Sequence, residues 1–209
     1  MEHEARRGSR WIELAAVAVM GLSSVATAWS SYQAALWSGN QSSAYGRASA
    51  LRVESTRASG RANTLRSLDV ATFIAWVEAY AREDTMLTDF YQTRFRDEFK
   101  PAFQEWVESR PRMNPEAAPS PFQLDSYRVH EDAVADSLTA EAEAAFQDGQ
   151  QANDWSDRYV LTLVLFASVL FLTGLAQTAE ATAARVGLLV LSALLFLGAT
   201  YGLAVLPRL

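Results

Sequence analysis

Hydrophobic residues are concentrated in three long segments, 11–31, 159–178 and 186–206. Each is about twenty residues long, the length that an α-helix needs to cross the roughly 30 Å hydrocarbon layer of a membrane. The one charged residue within them is Glu13. A soluble core helix of this length would carry a polar face. The pattern therefore predicts three transmembrane helices.

The first segment also has features of a secretory signal peptide. Arginines precede it in the flank 1–10, and Ala-Thr-Ala at 26–28 resembles a cleavage site. The apolar run is long for a signal peptide, and the helical pattern continues beyond Ser31. We therefore interpret 1–10 as a basic flank and 11–31 as transmembrane helix 1, with cleavage as the alternative.

Aromatic residues lie near the ends of the first two segments. An amphipathic ring is stable at the level of the lipid headgroups, with its polar atom in water. The sequence accordingly predicts membrane-interface anchors at Trp11, Trp29, Tyr32, Trp37 and Tyr159.

The region between the first two segments contains no long apolar run and no strand-like alternation. The predicted fold is therefore all-α, with three transmembrane helices and a long helical stalk or hairpin domain inserted between the first and second. The inserted domain is predicted to span residues 32–158, with stalk helices at about 32–66 and 124–158. Between them the sequence predicts aromatic-rich distal helices at 68–109, capped by Ser67, and a Pro-rich loop at 110–122. A short loop at 179–185 is predicted to join transmembrane helices 2 and 3.

Small side chains recur at alternating steps of three and four residues in both predicted stalk segments. This heptad spacing places them on one stripe of a helix, and small residues let two helices approach closely. Because the topology makes the two segments antiparallel neighbours, we predict that their stripes pack together. The predicted helix-packing seam comprises Ser23, Thr27, Ser30, Ala34, Ala44, Ala48, Leu51, Ala58, Ala62, Ala135, Leu138, Ala142, Ala145, Gly149 and Ala152.

The charge distribution favours the same pairing. Residues 40–66 carry five arginines and one acid, whereas 116–157 carry ten acids and one base. Each exposed pair between them would add only about 0–1 kcal/mol. The net charge of −6 gives no basic footprint for nucleic acid.

Catalytic signatures are missing from the sequence. It has no Cys and two His, and it contains no phosphate-binding glycine loop, nucleophile elbow or HExxH motif. The acids of the central region, including those beside His130, are interpreted as solvated helix faces. We therefore expect no catalytic residue, no cofactor and no metal site, and a protein that is not an enzyme.

Four stretches carry a resemblance to a known family: WSSYQAALWSGNQS, RASALRVESTRA, FIAWVEAYARED and SDRYVLTLVLFASVLF. Together they resemble an uncharacterised family of bacterial multi-pass membrane proteins without an assigned function. The resemblance implies an inner-membrane protein with no catalytic residues. A looser similarity is to chemoreceptor-like sensors, but here a third apolar segment takes the place of a cytoplasmic signalling helix.

These features favour a structural function. We expect a membrane scaffold or accessory subunit that contacts the lipid bilayer and binds a protein partner, or forms a homo-oligomer, through the aromatic-rich region 68–107. One alternative is a cell-envelope sensor that binds a small ligand between the stalk helices. Another is a homo-oligomeric channel lined by the hydroxyl-rich first segment.

The orientation follows from the basic residues near the membrane. Lysine and arginine favour the cytoplasmic side, and the flanks of the first segment usually dominate. The basic residues are almost evenly divided between the two sides: Arg6, Arg7, Arg10 and Arg185 against Arg47, Arg158, Arg208 and, somewhat farther away, Arg52. The three arginines directly before the first segment therefore decide the orientation. We predict a cytoplasmic N-terminus and a periplasmic or extracellular domain 32–158.

This orientation can be tested with one thiol. Because the chain has no Cys, Ser120→Cys introduces a unique thiol into the Pro-rich loop. We expect a membrane-impermeant maleimide to label this thiol in intact spheroplasts. Labelling that requires permeabilisation would place the domain in the cytoplasm and contradict the orientation.

Overall fold

The computed structural model describes the backbone of residues 2–209 and the side chains of residues 13–209. Within these residues all regular structure is helical and no β-strand occurs, so the all-α prediction is confirmed. The elements are α1 (Glu2–Ala81), α2 (Thr85–Arg94), α3 (Lys100–Glu108), a 3-10 turn (Pro121–Gln123), α4 (His130–Thr178) and α5 (Thr182–Val205).

Three helices, α1, α4 and α5, are long and apolar enough to cross a membrane. The mean hydropathies of their apolar windows are 1.4, 2.3 and 2.2. α1 and α4 contain the first two apolar segments that the sequence identifies, and α5 contains residues 186–205 of the third. The link between α4 and α5 is shorter than predicted, residues 179–181 rather than 179–185, because α5 begins at Thr182.

Two predicted helix starts are wrong. Ser67 does not begin a new helix, because α1 continues to Ala81 and the Ser67 hydroxyl donates to the carbonyl oxygen of Asn63 at 2.8 Å. A serine can bond in this way within a helix, so it does not by itself mark a boundary. The fourth helix begins at His130 rather than near 124.

The distal helices are separated by two short breaks. Glu83 follows α1 with a φ of 59°, and Asp84 then caps α2 by accepting a hydrogen bond from the amide of Leu87 at 3.0 Å. Pro101 lies in the first turn of α3, where its missing amide hydrogen costs no helical hydrogen bond.

The chain forms two compact units. Unit 1 comprises Met1–Gly46 and Ala145–Leu209, and unit 2 comprises Arg47–Ala144. In unit 1, Ser156 donates to the carbonyl oxygen of Ala34 at 3.1 Å, so α4 packs directly on α1. The rings of Phe166 and Phe196 lie 6.0 Å apart and connect α4 to α5.

The residues that follow α5 return to α1 and α4 in unit 1. The buried Gln33 side chain donates to the carbonyl oxygen of Leu209 at 3.3 Å and accepts from its amide at 3.2 Å. The carbonyl oxygen of Pro207 accepts from Trp37 at 3.3 Å and from Tyr159 at 2.9 Å. We call this arrangement of Gln33, Trp37 and Tyr159 around residues 207–209 the C-terminal clamp.

Gly149 on α4 lies directly against the Tyr45 side chain of α1 in unit 1. A Cβ added at Gly149 would lie 2.4 Å from Cε1 of Tyr45. The Tyr45 ring is itself stacked on Phe146, with centroids 5.3 Å apart. The ring therefore has little freedom to move away from a larger residue at this position.

An aromatic core holds unit 2 together. Its buried side chains are Phe73, Trp76, Phe95, Phe99 and Phe103, and partly buried Tyr91, Trp106, Phe122 and Tyr127 pack against them. Several pairs meet edge to face, as do Trp76 and Phe103 at a centroid distance of 4.8 Å. The core therefore joins α1, α3 and the two loops that flank α3.

A buried ionic network lies beside this core. Asp69 is 1% exposed and accepts hydrogen bonds from Arg96 at 2.9 and 3.2 Å and from the hydroxyl of Tyr127 at 3.0 Å. Arg96 also donates to Glu98 at 2.8 Å. The hydrogen bond to Asp69 raises the pKa of Arg96, and burial beside that carboxylate raises the pKa of Tyr127. The network ties α1 to the segments that precede α3 and α4.

The requirement for glycine at position 149 can be tested by comparing it with Gly60, which has no close neighbour. We expect Gly149→Ala to lower the melting temperature, because overpacking against Tyr45 costs about 1–3 kcal/mol and exceeds the roughly 1 kcal/mol gain in helix propensity. Gly60→Ala should raise the melting temperature, since nothing lies within 4 Å of an added Cβ there. Equal shifts in both variants would contradict the close approach.

The buried network predicts a second stability difference. We expect Asp69→Asn to destabilise unit 2 by about 3 kcal/mol, because it leaves a partly buried guanidinium without its carboxylate. Asp97→Asn is the control, since Asp97 pairs with Lys100 on the surface. Thermal unfolding followed by circular dichroism should separate the two variants, and similar melting temperatures would show that the network is dispensable.

Candidate functional site

The structure places all fifteen residues of the predicted seam at buried or half-buried positions. The half-buried ones are Thr27, Ala44, Leu51 and Leu138. Hydrogen bonds join α1 and α4 along this seam within each unit. In unit 2, for example, the Ser55 hydroxyl donates to the carbonyl oxygen of Ala135 at 3.0 Å.

Two hydroxyls of the first apolar segment are buried within the chain, whereas those of Ser24 and Ser31 are exposed. Ser23 and Ser30 are fully buried, and Thr162 of α4 donates to Ser30 at 3.4 Å. Thr27 donates to the carbonyl oxygen of Ser23 at 2.7 Å. These groups therefore contribute to packing within unit 1.

The predicted membrane anchors divide into two groups. Trp29 and Tyr32 are exposed neighbours with ring centroids 6.0 Å apart. Trp37 and Tyr159 belong to the C-terminal clamp, and Tyr159, predicted as a membrane-interface anchor, is fully buried within the chain. The side chain of Trp11 lies outside the described residues.

The histidines and acids considered in the sequence do not cluster into a metal-binding group within residues 13–209. No group of three His, Asp or Glu side chains in this range could hold a metal ion. His130 is exposed at the first position of α4. The acids beside it pair with arginines of α1, as Glu131 does with Arg61 at 3.0 Å.

A groove of about 930 Å³ lies at the distal part of unit 2. We call it the apolar groove. It is formed by the last turns of α1, the end of α3 and the loop that follows α3. Its lining residues are Trp76, Val77, Tyr80, Ala81, Trp106, Val107, Arg110, Pro111, Arg112 and Met113.

The walls of the apolar groove remain accessible to solvent. Val77 is 40% exposed, Tyr80 47%, Val107 43% and Met113 83%. Scattered apolar residues are normal on a protein surface, but a concave group of them marks a binding site. The apolar groove therefore has the character of a recognition surface.

Two arginines supply the charge of the apolar groove, and no acidic residue lines it. The guanidinium carbon of Arg112 lies 5.6 Å from the centroid of the Tyr80 ring, within the range of a cation–π contact. Arg110 has a φ of 50°, a conformation that favours glycine. Its amide donates to the carbonyl oxygen of Val107 at 3.1 Å, and its own carbonyl oxygen accepts from Met113 at 2.8 Å.

Hydrogen bonds from α3 fix the loop that carries these arginines. The indole nitrogen of Trp106 donates to the carbonyl oxygen of Ala118 at 2.8 Å, and Ser109 donates to that of Trp106 at 2.6 Å. These hydrogen bonds hold the wall of the groove in place. The indole nitrogen of Trp76, one of its lining residues, is buried, and within the described residues it has no hydrogen-bond partner.

Sequence reasoning identified only part of this groove. The aromatic region 68–107 includes its α1 and α3 walls, but most of the aromatic rings there lie in the core. The contribution of Arg110, Arg112 and Met113 was missed. The available signal was the pair of arginines in SRPRM, directly after an aromatic helix and within a region that is otherwise acidic.

Comparison with known proteins shows no family for this chain. No family model matches it, and no curated protein or solved structure matches it significantly. The functional interpretation therefore depends on the residues and geometry of the apolar groove.

Proposed function

We propose that this chain is a non-enzymatic membrane scaffold or accessory subunit that binds a protein partner. In this proposal the apolar segments of α1, α4 and α5 cross the bilayer, and residues 32–158 form a helical domain between the first and second. The observation that carries the proposal is the apolar groove, with its exposed walls and its two arginines.

The composition of the apolar groove is typical of an interface centre. Tryptophan, tyrosine and arginine carry much of the binding energy at protein interfaces, and methionine adapts to irregular partners. Trp106, Tyr80, Arg112 and Met113 supply all of these types on one concave surface. The preformed loop lowers the entropy that binding would cost.

The channel and the small-ligand sensor, the two alternatives to a scaffold, receive different support. A channel lined by α1 would need its hydroxyls on a surface that other copies can reach. Ser23 and Ser30 are fully buried within this chain, which leaves Ser24 and Ser31 as the exposed hydroxyls of the segment. A sensor for a small ligand is compatible with the volume of the apolar groove, because small-molecule pockets occupy about 300–1,000 Å³. The exposure of its walls favours a larger occupant.

The proposed location is the bacterial inner membrane, with the N-terminus in the cytoplasm and the helical domain outside it. Three helices of sufficient length and apolarity support a membrane location. The basic flank before the first segment supports this orientation.

Photocrosslinking in native membranes tests the proposed function. We expect p-benzoylphenylalanine at Val107 to give a discrete protein adduct, because this position lies on the wall of the apolar groove. The same residue at Met86, which is exposed on α2 outside the groove, should give none. Val77→Glu should abolish the Val107 adduct by placing a charge on the apolar wall.

Either of two results would count against a partner-binding groove. One is an absence of protein adducts at Val107 in membranes that contain the chain at its normal abundance. The other is an equal yield of adducts at Val107 and Met86, which would indicate random collisions.

A further inference from the structure

We infer that the occupant of the apolar groove is an amphipathic helix of the partner protein, with acidic residues beside its apolar face. This inference rests on the proposed function and specifies the chemistry of the partner. It follows from three properties of the apolar groove: the accessibility of its walls, the sign of its charge and the backbone conformation of Arg110.

The accessibility of the walls favours a helix over a small molecule. A small-molecule site commonly buries 70–90% or more of its ligand. Here Val77, Tyr80 and Val107 are each at least 40% exposed, so the groove would cover an occupant on one side only. An amphipathic helix needs one-sided burial, since its apolar residues recur along a single face and its other face stays in water.

The positive charge of the apolar groove favours a helix with acidic residues beside its apolar face. Arg110 and Arg112 lie among the lining residues, and no acidic residue does. The surrounding region is acidic, because residues 38–157 contain twenty acids and twelve bases. An acidic partner would be repelled by most of this surface and attracted at the groove. Such local complementarity fixes the position of a partner and excludes wrong ones.

Arginine is well suited to this contact. Its planar guanidinium can donate two parallel hydrogen bonds to one carboxylate. Arg112 is already oriented by the Tyr80 ring, with 5.6 Å between the guanidinium carbon and the ring centroid. A carboxylate on a docked helix would therefore meet a partly preorganised donor.

The backbone of Arg110 points to the same role. Its φ of 50° would be adopted without strain by glycine, whereas a residue with a Cβ is disfavoured there. A side chain at this position therefore carries a cost in backbone strain. Contact with an acidic occupant supplies a function for the guanidinium that glycine could not replace.

The test uses the full-length chain in native membranes, with p-benzoylphenylalanine at Val107 as the probe. The captured segment is identified by mass spectrometry, and adduct yield is compared across variants. We expect the segment to be an apolar helix flanked by Asp or Glu. We expect the yield to fall about tenfold or more in Arg110→Glu/Arg112→Glu, because like charges would then face each other.

Two matched controls separate charge recognition from folding. Arg57→Glu/Arg94→Glu makes the same change in net charge on exposed positions outside the apolar groove and should leave the yield unchanged. Arg110→Gly removes the guanidinium while relieving the positive φ, so it should fold at least as stably and still lose adduct. Glu83→Gly relieves the same strain at a φ of 59° away from the groove and should keep the adduct.

The outcomes distinguish this inference from the proposed function. A protein adduct that survives the charge reversal, or a captured segment without acidic residues, would overturn the acidic helix and leave a partner-binding groove. Capture of lipid or of a second copy of this chain would also overturn the inference. A complete absence of adducts at Val107 would overturn both the inference and the proposed function.

Discussion

The close contact of α1 with α4 is the constraint on which each unit depends. In unit 1, Gly149 leaves room for the Tyr45 ring, and Ser156 bonds to the backbone of α1. In unit 2, Ser55 reaches the backbone of α4. Two helices can approach this closely only where their facing side chains are small. The largest cluster of buried aromatic side chains lies in the core of unit 2, beside α3.

In unit 2, an ionic network and a hydrogen-bonded loop restrict the fold further than the helix contact alone. Arg96 and Tyr127 both donate to Asp69 beside the aromatic core and tie separate segments together. A buried charge without partners would be costly, so the network admits few alternative arrangements. Trp106 of α3 donates a hydrogen bond to Ala118 and so holds the loop that carries Arg110. The apolar groove thus lies on a supported surface rather than on a freely moving loop.

Sequence reasoning succeeded where the pattern has one physical interpretation. Long apolar segments predict helices that can cross a membrane, and small residues at heptad spacing predict a helix stripe. It failed at Ser67, because a serine can cap a helix or bond within one. It did not anticipate the burial of Tyr159, since nothing local shows that Pro207 returns to accept a hydrogen bond from its hydroxyl. The arginines of the groove were missed because their meaning depends on the loop fold, a tertiary property.

The C-terminal clamp constrains the number of residues in α5. Gln33 recognises both the amide and the carbonyl of Leu209, while Trp37 and Tyr159 hold the carbonyl of Pro207. One residue inserted in α5 would advance the following chain by about 1.5 Å and rotate it by about 100°. The backbone groups would then no longer face their partners. Substitutions on the outer face of α5 leave this register intact, so α5 tolerates changes in composition far better than changes in length.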